Sequence, residues 1–476
     1  MNSFFGRLFA RQPLEWTAPD SEGPALRRAL GWPALTAIGL GTMLGGIFPT
    51  IGAGAHAAGP AVILAFVLSG VVSLCVALCY AEFASMVPVA GSAYTYAYAT
   101  LGEVVAWVIG WDLILEYGLS LAPVASSWSD YAQHLLADMH LALPSWAQTA
   151  HIFTGSFTPQ HFLAAPFQID VLAALTVLAV TVIVAIGIRE SAGVNGALVV
   201  FQIATMLVFF AITAGKINPT HLHPFAPHAW HGILTSTALV FFAYIGFDTV
   251  TVASEEAHEP HRNVPIGIVV ALAIGTLLYV GLTAASVGVV DYTKLSDGAA
   301  MLDAVSAVST SHAVYWIVAL GGLAGNTTVM LTSLLGQVRI FYVMARDRML
   351  PPAVARVHAR FRTPARMTLI TGIIVAMFAA VFPLTDLLTL VNIGTLAAFA
   401  IVCVGVFVLR ITQPHAHRPF RAPLGPVFAI LGAISSVYLI TGLTTLTWLR
   451  FGIWFVIGIA VYAAYGYRNS RLRSIS

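Results

Sequence analysis

The chain has 476 residues, of which 58% are hydrophobic and only 9% are charged. Soluble domains carry about 25% charged residues, so the composition excludes a soluble enzyme, a nucleic-acid-binding protein and a disordered chain. The 22 basic and 20 acidic residues leave a formal net charge of only +2, which indicates no particular partner. The composition fits a polytopic helical membrane protein, with the lipid bilayer as a partner and nucleic acid excluded.

Apolar runs divide the chain into predicted membrane spans. A spanning helix needs about 20 mainly apolar residues, and continuous runs such as Val171–Ile186 favour helices over the alternating segments of a β-barrel. The sequence predicts an all-α fold with about twelve spans, at roughly 34–56, 61–87, 103–128, 169–188, 195–215, 233–253, 266–290, 313–338, 367–382, 387–410, 426–446 and 451–467.

The basic residues orient these spans. Residues 1–30 carry four arginines but no apolar signal-peptide core, so we expect a cytoplasmic tail. With that tail inside, all but three of the 22 Lys and Arg residues fall in inner segments, and the predicted outer loop Asp130–Gln168 has none. The exceptions are Lys216, Lys294 and Arg450. The positive-inside rule predicts a multi-pass protein of the inner, cytoplasmic membrane with both termini in the cytoplasm.

Two predicted spans contain residues that interrupt a helix. Residues 39–52 of the first span read GLGTMLGGIFPTIG, with five glycines and Pro49. The sixth span has Gly246 in its middle and Asp248 two residues later. Unwound backbone is tolerated at membrane depth only where it lines a cavity or is buried in protein. The alternative for the glycines is close packing between two helices.

The interrupted spans lie five spans apart, which is typical of inverted-repeat transporters with a site near the membrane midplane. We expect a transport core at residues 31–410, with spans 1–5 at about 34–215 and spans 6–10 at about 233–410. Two additional spans follow at 411–468, and a cytoplasmic tail at 469–476. The free N–H groups of a broken helix suit an amino-acid carboxylate, and unwound carbonyls suit its ammonium group.

Four segments carry a resemblance to a known family. They are GTMLGGIF (41–48), CYAEFASMVPVAGSAYTYAY (79–98) with GWDLILEYG (110–118), FFAYIGFDTVTVASEEAHEPHRNVPIGI (241–268) and GQVRIFYVMARDRMLPP (336–352). In this order they resemble the amino acid–polyamine–organocation (APC) superfamily of permeases, most closely its cationic-amino-acid-transporter-like members, over about residues 30–468. The resemblance implies a LeuT-type fold, a 5+5 inverted repeat plus two extra helices, and amino acid transport by alternating access.

The chain departs from that family in two places. The first-span glycine motif usually reads like G-x-I-I-G-x-G-I-F, and residues 41–48 are one residue shorter, so we expect altered carboxylate geometry or a smaller substrate. Proton-coupled relatives often carry a lysine in span 5 after an E-S-A-x-x-N motif. That motif is present at Glu190–Asn195, but Gln202 occupies the lysine position and cannot titrate.

We therefore expect a secondary active amino acid permease, not an enzyme, without a cofactor and with H+ as its coupling ion. Carboxylates such as Asp248 or Glu116 would carry the proton. The alternative, because of Gln202, is an exchanger or facilitator without proton coupling, and sodium symport is a further alternative. An intramembrane enzyme is disfavoured because no span holds a histidine–carboxylate cluster or an HExxH motif. The sequence defines neither the amino acid nor the oligomeric state.

The candidate site residues follow from the breaks, the resemblance and the intramembrane polar groups. Substrate-binding candidates are Thr42, Met43, Gly45, Gly46, Ile47, Phe242, Ala243, Tyr244, Ile245, Gly246 and Asn326. Coupling or gating candidates are Gln202, Glu116, Asp248, Asp112, Glu82, Thr327 and Thr328.

Each of these roles has a structural alternative. The carboxyls can be buried anchors, and Glu82 can serve as an inner gate or be solvated at the interface. Phe242 and Tyr244 can form an aromatic lid or face lipid. Asn326, Thr327 and Thr328 can hold helices together.

Eight of the 15 histidines fall in predicted outer loops, where we expect most of them to be solvated. His221 and His223 are the pair that could bind a metal or sense external pH. The three cysteines lie within predicted spans and are expected to be small core residues. No metal ligands are predicted.

Overall fold

The structure is a computed structural model that describes residues 30–86, 92–150, 168–186, 192–252, 254, 257–358, 363–424 and 426–471. Within these ranges the chain is helical and forms no strand, apart from one isolated bridge between Leu30 and Ala257. The predicted all-α fold class is therefore confirmed. Residues 1–29 and 472–476 of the predicted tails, and Glu190 and Ser191 of the motif Glu190–Asn195, lie outside the described residues.

The described residues form α-helices in both halves of the chain. The first half contains α1 Trp32–Met43, α2 Ile51–Ala58, α3 Val62–Met86, α4 Ser92–Thr100, α5 Glu103–Leu113, α6 Leu121–Asp138, α7 Val171–Ile186 and α8 Ala192–Thr213. The second half contains α9 Ala229–Val240, α10 Thr249–Val252, α11 Pro260–Val289, α12 Ala300–Val308, α13 His312–Arg346, α14 Ala365–Val381, α15 Leu384–Thr412, α16 Val427–Thr441, α17 Thr445–Val461 and α18 Tyr467–Asn469.

Many of these helices are suited to a bilayer. Within the described residues, eight helical stretches are long and apolar enough to cross a membrane, and four apolar helices are shorter. One of the eight, Ile51–Met86, is divided into α2 and α3 by Gly59, whose φ of +67° ends α2. The chain is a multi-pass membrane protein, while the count of twelve spans stays a prediction. We call the ends of the spans near Lys216, Lys294 and Arg450 the outer ends.

Some helices extend beyond the predicted span limits. The helix of span 3 does not end at 128 but continues to Asp138, and it buries Tyr131 and Leu135 in the added turns. Asp130 therefore lies in a helix rather than in a loop. Helices α4 and α12 were not predicted, since each has only nine residues and neither is long enough to span a membrane.

The two interrupted spans lie at the centre of the helix packing. α11 packs along α1 and α3, while α2 packs on α9. α13 packs along α6 and α8, and α14 packs on α7. α16 and α17 lie at the periphery, where large apolar side chains such as Ile434 and Val456 are exposed. Exposed apolar surface of this kind is what a lipid-facing helix presents.

Candidate functional site

Span 6 is fully broken. After α9 the chain passes through a 3-10 turn at Phe241–Tyr244, and Ile245 is extended, with φ −62° and ψ 136°. Gly246 then adopts a φ of +109°, a region that favours glycine. A Cβ placed on Gly246 would lie 3.0 Å from the Cβ of Thr42. Gly246 therefore opens the helix and allows it to contact span 1.

Span 1 is interrupted more gently. α1 continues as a 3-10 helix at Leu44–Ile47, and α2 begins at Ile51. The Thr50 hydroxyl lies 2.9 Å from the carbonyl oxygens of both Gly46 and Ile47. The predicted break is present, but the chain keeps right-handed angles at Met43 and Phe48 instead of becoming extended. These two carbonyls already have a partner, which limits their availability to a substrate ammonium.

The glycines of span 1 bring backbones together. A Cβ on Gly46 would lie 2.9 Å from the Cα of Ala243, and a Cβ on Gly45 would lie 2.7 Å from the Gly325 carbonyl oxygen. The Thr42 hydroxyl lies 2.8 Å from the Gly246 carbonyl oxygen. Close packing and interruption, posed as alternatives from the sequence, therefore occur together.

Tyr279 on α11 joins the two breaks and was missed in the sequence. Its hydroxyl lies 2.7 Å from the carbonyl oxygen of Met43 and 2.8 Å from that of Ala243. A phenol has one proton, so it donates to one of these carbonyls at a time. A tyrosine in the middle of an apolar run needs a buried hydrogen-bond partner, and this was the available signal.

A small cavity lies between the breaks. The centre of a water-sized sphere can move within about 20 Å³ of this cavity. That is room for about one water molecule. Spans 1 and 6 supply the part of its wall formed by Thr42, Gly46, Phe242, Ile245 and Gly246. Five of the eleven predicted substrate-binding residues thus meet at one cavity.

Span 3 supplies a carboxyl to the same cavity. Between α5 and α6 the helix widens into a π-helix at Ile114–Leu119, a feature often found at functional sites. Glu116 lines the cavity and is 1% exposed. Among the residues that the structure describes, neither Glu116 carboxyl oxygen has a hydrogen-bond partner. An ionised carboxyl in such surroundings requires a cation, which a proton or a substrate ammonium can supply.

A second carboxyl lies close to Glu116. Asp248 is fully buried and accepts a hydrogen bond from the Tyr117 hydroxyl. Asp248 and Asp112 are both electrostatic neighbours of Glu116, with Asp248 the stronger. Asp112 is also buried but does not line the cavity, and neither of its oxygens has a hydrogen-bond partner within the described ranges. Glu116 is thus the carboxyl in the cavity wall, and Asp248 is its stronger acidic neighbour.

Gln202 lies where spans 1, 5 and 8 meet. Its Nε2 is 2.6 Å from the point that a Cβ on Gly325 would occupy, and Phe48 Cε2 is equally close to that point. The side chain is fully buried, and in the described part of the chain its amide has no hydrogen-bond partner. A neutral, unpaired amide therefore lies beside span 1, and its coupling role stays a prediction.

The three polar candidates of span 8, Asn326, Thr327 and Thr328, do not line the cavity. The Asn326 amide nitrogen donates to Ser127 Oγ over 3.2 Å, and Thr327 Oγ1 accepts from the Trp128 indole over 3.2 Å. Thr328 donates to a carbonyl of its own helix, that of Ala324, over 3.0 Å. The contacts of Asn326 and Thr327 favour the interhelical role over substrate contact or a sodium site, whereas Thr328 bonds within its own helix.

The two aromatic residues at the span 6 break differ. Phe242 lines the cavity, but the Tyr244 hydroxyl donates to the Phe66 carbonyl oxygen over 2.8 Å. Both rings are buried, so neither faces lipid. The structure thus leaves Phe242 as the candidate lid and assigns Tyr244 to the contact with span 2. Met43, Ile47 and Ala243 are buried and are absent from the cavity wall.

Glu82 is held at the inner end of span 2 by two arginines. Its oxygens accept from Arg410 Nε over 2.9 Å and from the Ala422 N–H over 2.9 Å, and Arg418 Nε lies 3.3 Å away. Glu82 is 1% exposed, so it is not solvated at the interface. The contacts describe an anchor between span 2 and the segment after span 10.

Comparison with known proteins identifies the family. A family model described as amino acid permease matches residues 30–468. The chain therefore belongs to the amino acid permease family of the APC superfamily, as its motifs predicted, and it is a membrane transporter rather than an enzyme.

Individual relatives are similar over nearly the whole chain. The methylthioribose transporter of Bacillus subtilis (strain 168) is 41% identical over 467 residues, which cover 98% of this chain and 99% of the relative. The branched-chain amino acid permease BcaP of the same organism is 39% identical over 473 residues, with the same coverage of both chains. The vacuolar cationic amino acid transporter 4 of Arabidopsis thaliana is 35% identical, over 83% of this chain and 65% of its own length.

Proposed function

We propose that the protein is a secondary active transporter that moves amino acids across the cytoplasmic membrane by alternating access, with protons as the coupling ion. The observation that carries the proposal is the cavity between the two interrupted spans, with the unpaired Glu116 carboxyl in its wall. Glu116 can hold a proton when the site is empty and face a substrate ammonium when it is full. No cofactor is part of the proposal.

The packing supports an inverted repeat of spans 1–5 and 6–10. Helices α1, α3, α9 and α11 belong to spans 1, 2, 6 and 7. If each span is exchanged for the one five positions away, the contact of α1 with α11 corresponds to the contact of α9 with α3. Both contacts exist. Helices α5, α8, α13 and α15 belong to spans 3, 5, 8 and 10. The same exchange relates the contact of α8 with α13 to that of α15 with α5, and the contact of α8 with α11 to that of α15 with α3. All four contacts exist. We therefore propose twelve spans, with residues 31–410 as the transport core and two spans added after it.

The substrate class follows from the relatives and the cavity wall. The relatives' names cover branched-chain amino acids, cationic amino acids and methylthioribose. The wall combines apolar side chains such as Ile245 and Val329 with hydroxyls such as Ser120 and Ser333. Since Glu116 is the acidic group of this wall, we propose a substrate that carries an ammonium group, and an amino acid fits best.

Transport by purified protein in proteoliposomes tests the proposal. Uptake of labelled amino acids and methylthioribose is measured with an inward proton gradient, with a sodium gradient, and without either gradient. We expect amino acid uptake that the proton gradient stimulates and that Glu116→Gln makes independent of that gradient. Asp112→Asn is the matched control, because it removes a buried carboxyl outside the cavity and should leave the stimulation intact. Absence of uptake or exchange for the whole panel would refute the proposal.

Gln202 favours a second candidate, exchange without proton coupling. A residue that cannot titrate occupies the junction of spans 1, 5 and 8, so an exchanger would run equally well with and without a proton gradient. Preloaded liposomes distinguish the two candidates, since an exchanger requires substrate on both sides. If Gln202→Lys creates a proton dependence that the parent lacks, exchange is favoured.

A further inference from the structure

The connection between α11 and α13 lies over the outer ends of spans 1 and 3. We call residues 290–311 the outer connection. The Ser127 hydroxyl on α6 donates to the Gly298 carbonyl oxygen over 2.6 Å. A Cβ on Gly52 of α2 would lie only 1.9 Å from the Ser296 carbonyl oxygen. Because α2 directly follows the span 1 break, the outer connection covers the outer side of that break.

Three histidine–aspartate pairs join this connection to the helices beneath it. His56 Nδ1 on α2 lies 2.8 Å from Asp297 Oδ1. His134 Nε2 on α6 lies 3.6 Å from Asp303 Oδ1. His312, the first residue after the connection, places its Nδ1 3.2 Å from Asp138 Oδ1. Each pair therefore links the connection, or its end, to span 1 or span 3.

The geometry at His134 favours the charged ring. His134 Nδ1 lies 2.8 Å from the Asp130 carbonyl oxygen, which can only accept a hydrogen bond. Nδ1 must then carry the proton of a neutral ring, leaving a lone pair on Nε2 that faces the Asp303 carboxylate. Protonation of Nε2 converts this repulsive contact into an ion pair. The surroundings of His56 are similar, because the Leu295 carbonyl is a second hydrogen-bond acceptor beside the Asp297 carboxylate.

The surroundings of the pairs are acidic. Asp130 lies beside His134 and has Asp170, Asp297 and Asp303 as electrostatic neighbours. Burial raises the pKa of Asp303, but hydrogen bonds from His134 and Ser296 outweigh it and hold the pKa below its usual value. Asp303 is therefore ionised wherever the histidines titrate.

Other charged groups near the outer connection have neighbours of their own. Asp291 lies beside Lys294 and His221. The Lys216 ammonium donates to the Val308 carbonyl oxygen, and Tyr315 has Asp138 and Asp303 as neighbours. His228 and His231 belong to the start of α9, which packs on α2, and both are exposed.

We propose that the three histidine–aspartate pairs form a proton-operated latch that holds the outer connection closed over spans 1 and 3. Protonation of His56 and His134 closes the latch, and loss of their protons releases it. Ion pairing with Asp297 and Asp303 stabilises the two protonated rings in the closed state, so these contacts are complete below the ordinary histidine pKa of about 6.5. They are lost as the pH rises through the raised pKa values of His56 and His134 in the closed state. The proposal goes beyond transport itself and requires neither a known substrate nor a coupling ion.

Distance measurement between spin labels tests the latch. Labels are attached at Ser306→Cys on the connection and Thr445→Cys on α17, both exposed sites, in lipid nanodiscs without substrate. The three native cysteines are buried. We expect one closed distance population at pH 5.5 and a second, open population at pH 8. Partly exposed ion pairs shift an equilibrium by up to about fivefold each, so the closed-to-open ratio should change roughly tenfold to a hundredfold.

Histidine variants separate the latch from other pH effects. In the triple variant His56→Gln, His134→Gln and His312→Gln, the distances should no longer respond to pH. His231→Gln replaces an exposed histidine of α9 and should keep the full response. The single variant Asp297→Asn, which leaves two pairs intact, should retain a reduced response and serves if the triple variant does not fold. A pH-independent distance in the parent, or an unchanged response in the histidine variants, would overturn the latch whatever the transport assays show.

Discussion

Replacement of Tyr279 by phenylalanine is the sharpest test of how the two interrupted spans are held together. The change removes one hydroxyl and keeps the ring, whose T-shaped contact with Tyr244 has a centroid distance of 5.3 Å. The hydroxyl is the group that contacts both the Met43 carbonyl of span 1 and the Ala243 carbonyl of span 6. Tyr279→Phe therefore leaves the packing in place and removes the polar bridge between the breaks.

The expected cost follows from burial. Tyr279 is fully buried, so the variant loses a buried hydrogen bond and leaves a buried carbonyl without that donor. Such a loss costs about 1–3 kcal/mol. We expect a comparable fall in the free energy of unfolding. Because the two carbonyls belong to the two interrupted spans that form the proposed site, substrate affinity should also fall, by roughly tenfold for each 1.4 kcal/mol that is lost.

Tyr244→Phe is the matched control. It also removes one buried hydroxyl, but that hydroxyl donates to Phe66 on span 2 and does not bridge the breaks. Thermal unfolding in detergent should show a similar loss for both variants, whereas substrate binding should weaken only for Tyr279→Phe. Equal effects of the two variants on binding would refute the bridging role.

Three further predictions concern the frame around the site. Gly246→Ala forces a residue with a Cβ into a φ of +109° and should lower the free energy of unfolding by about 1–3 kcal/mol, while Gly196→Ala, with open space around it, should not. Glu82→Gln leaves two buried arginine contacts without a counter-charge and should cost about 3–5 kcal/mol, measured as a fall in melting temperature. Asp303→Asn should destabilise by about 1–2 kcal/mol at pH 7. Since the folded-state pKa of Asp303 is lowered from 3.8, this difference from the parent should disappear as the pH falls through that lowered pKa, which unfolding at pH 3 would check.

The breaks were predictable because glycine leaves a local signature. Gly45, Gly46 and Gly246 mark the places where backbones approach and where φ turns positive, and each effect depends on the missing Cβ of the residue itself. Glu116 and Asp248 were predicted as candidates because burying a carboxyl in a span is costly, and only Asp248 was placed beside a break from the sequence. These features belong to single residues or single helices, so the sequence contains them.

The partners of these residues were not predictable. Arg410 lies 328 residues from Glu82 along the chain, and no local pattern connects them. The direction of Tyr244 depends on how the 3-10 turn rotates its ring toward span 2, which helical spacing does not define. The extension of span 3 to Asp138 depends on contacts that bury Tyr131 and Leu135. All three depend on the relative placement of distant helices.

The strength of the contacts differs between the inner end, the breaks and the outer connection, and this difference suits the alternating access that we propose. The inner end of span 2 is fixed by a buried carboxylate between two arginines, a contact that costs several kcal/mol to break. The two breaks are joined by single hydroxyls, those of Thr42 and Tyr279, worth about 1 kcal/mol each. The outer connection is joined by histidine–aspartate pairs whose strength depends on pH. Thermal motion can break and re-form the hydroxyl contacts of Thr42 and Tyr279 while the Glu82 anchor stays intact. The central site can therefore rearrange while the inner end of span 2 keeps its structure.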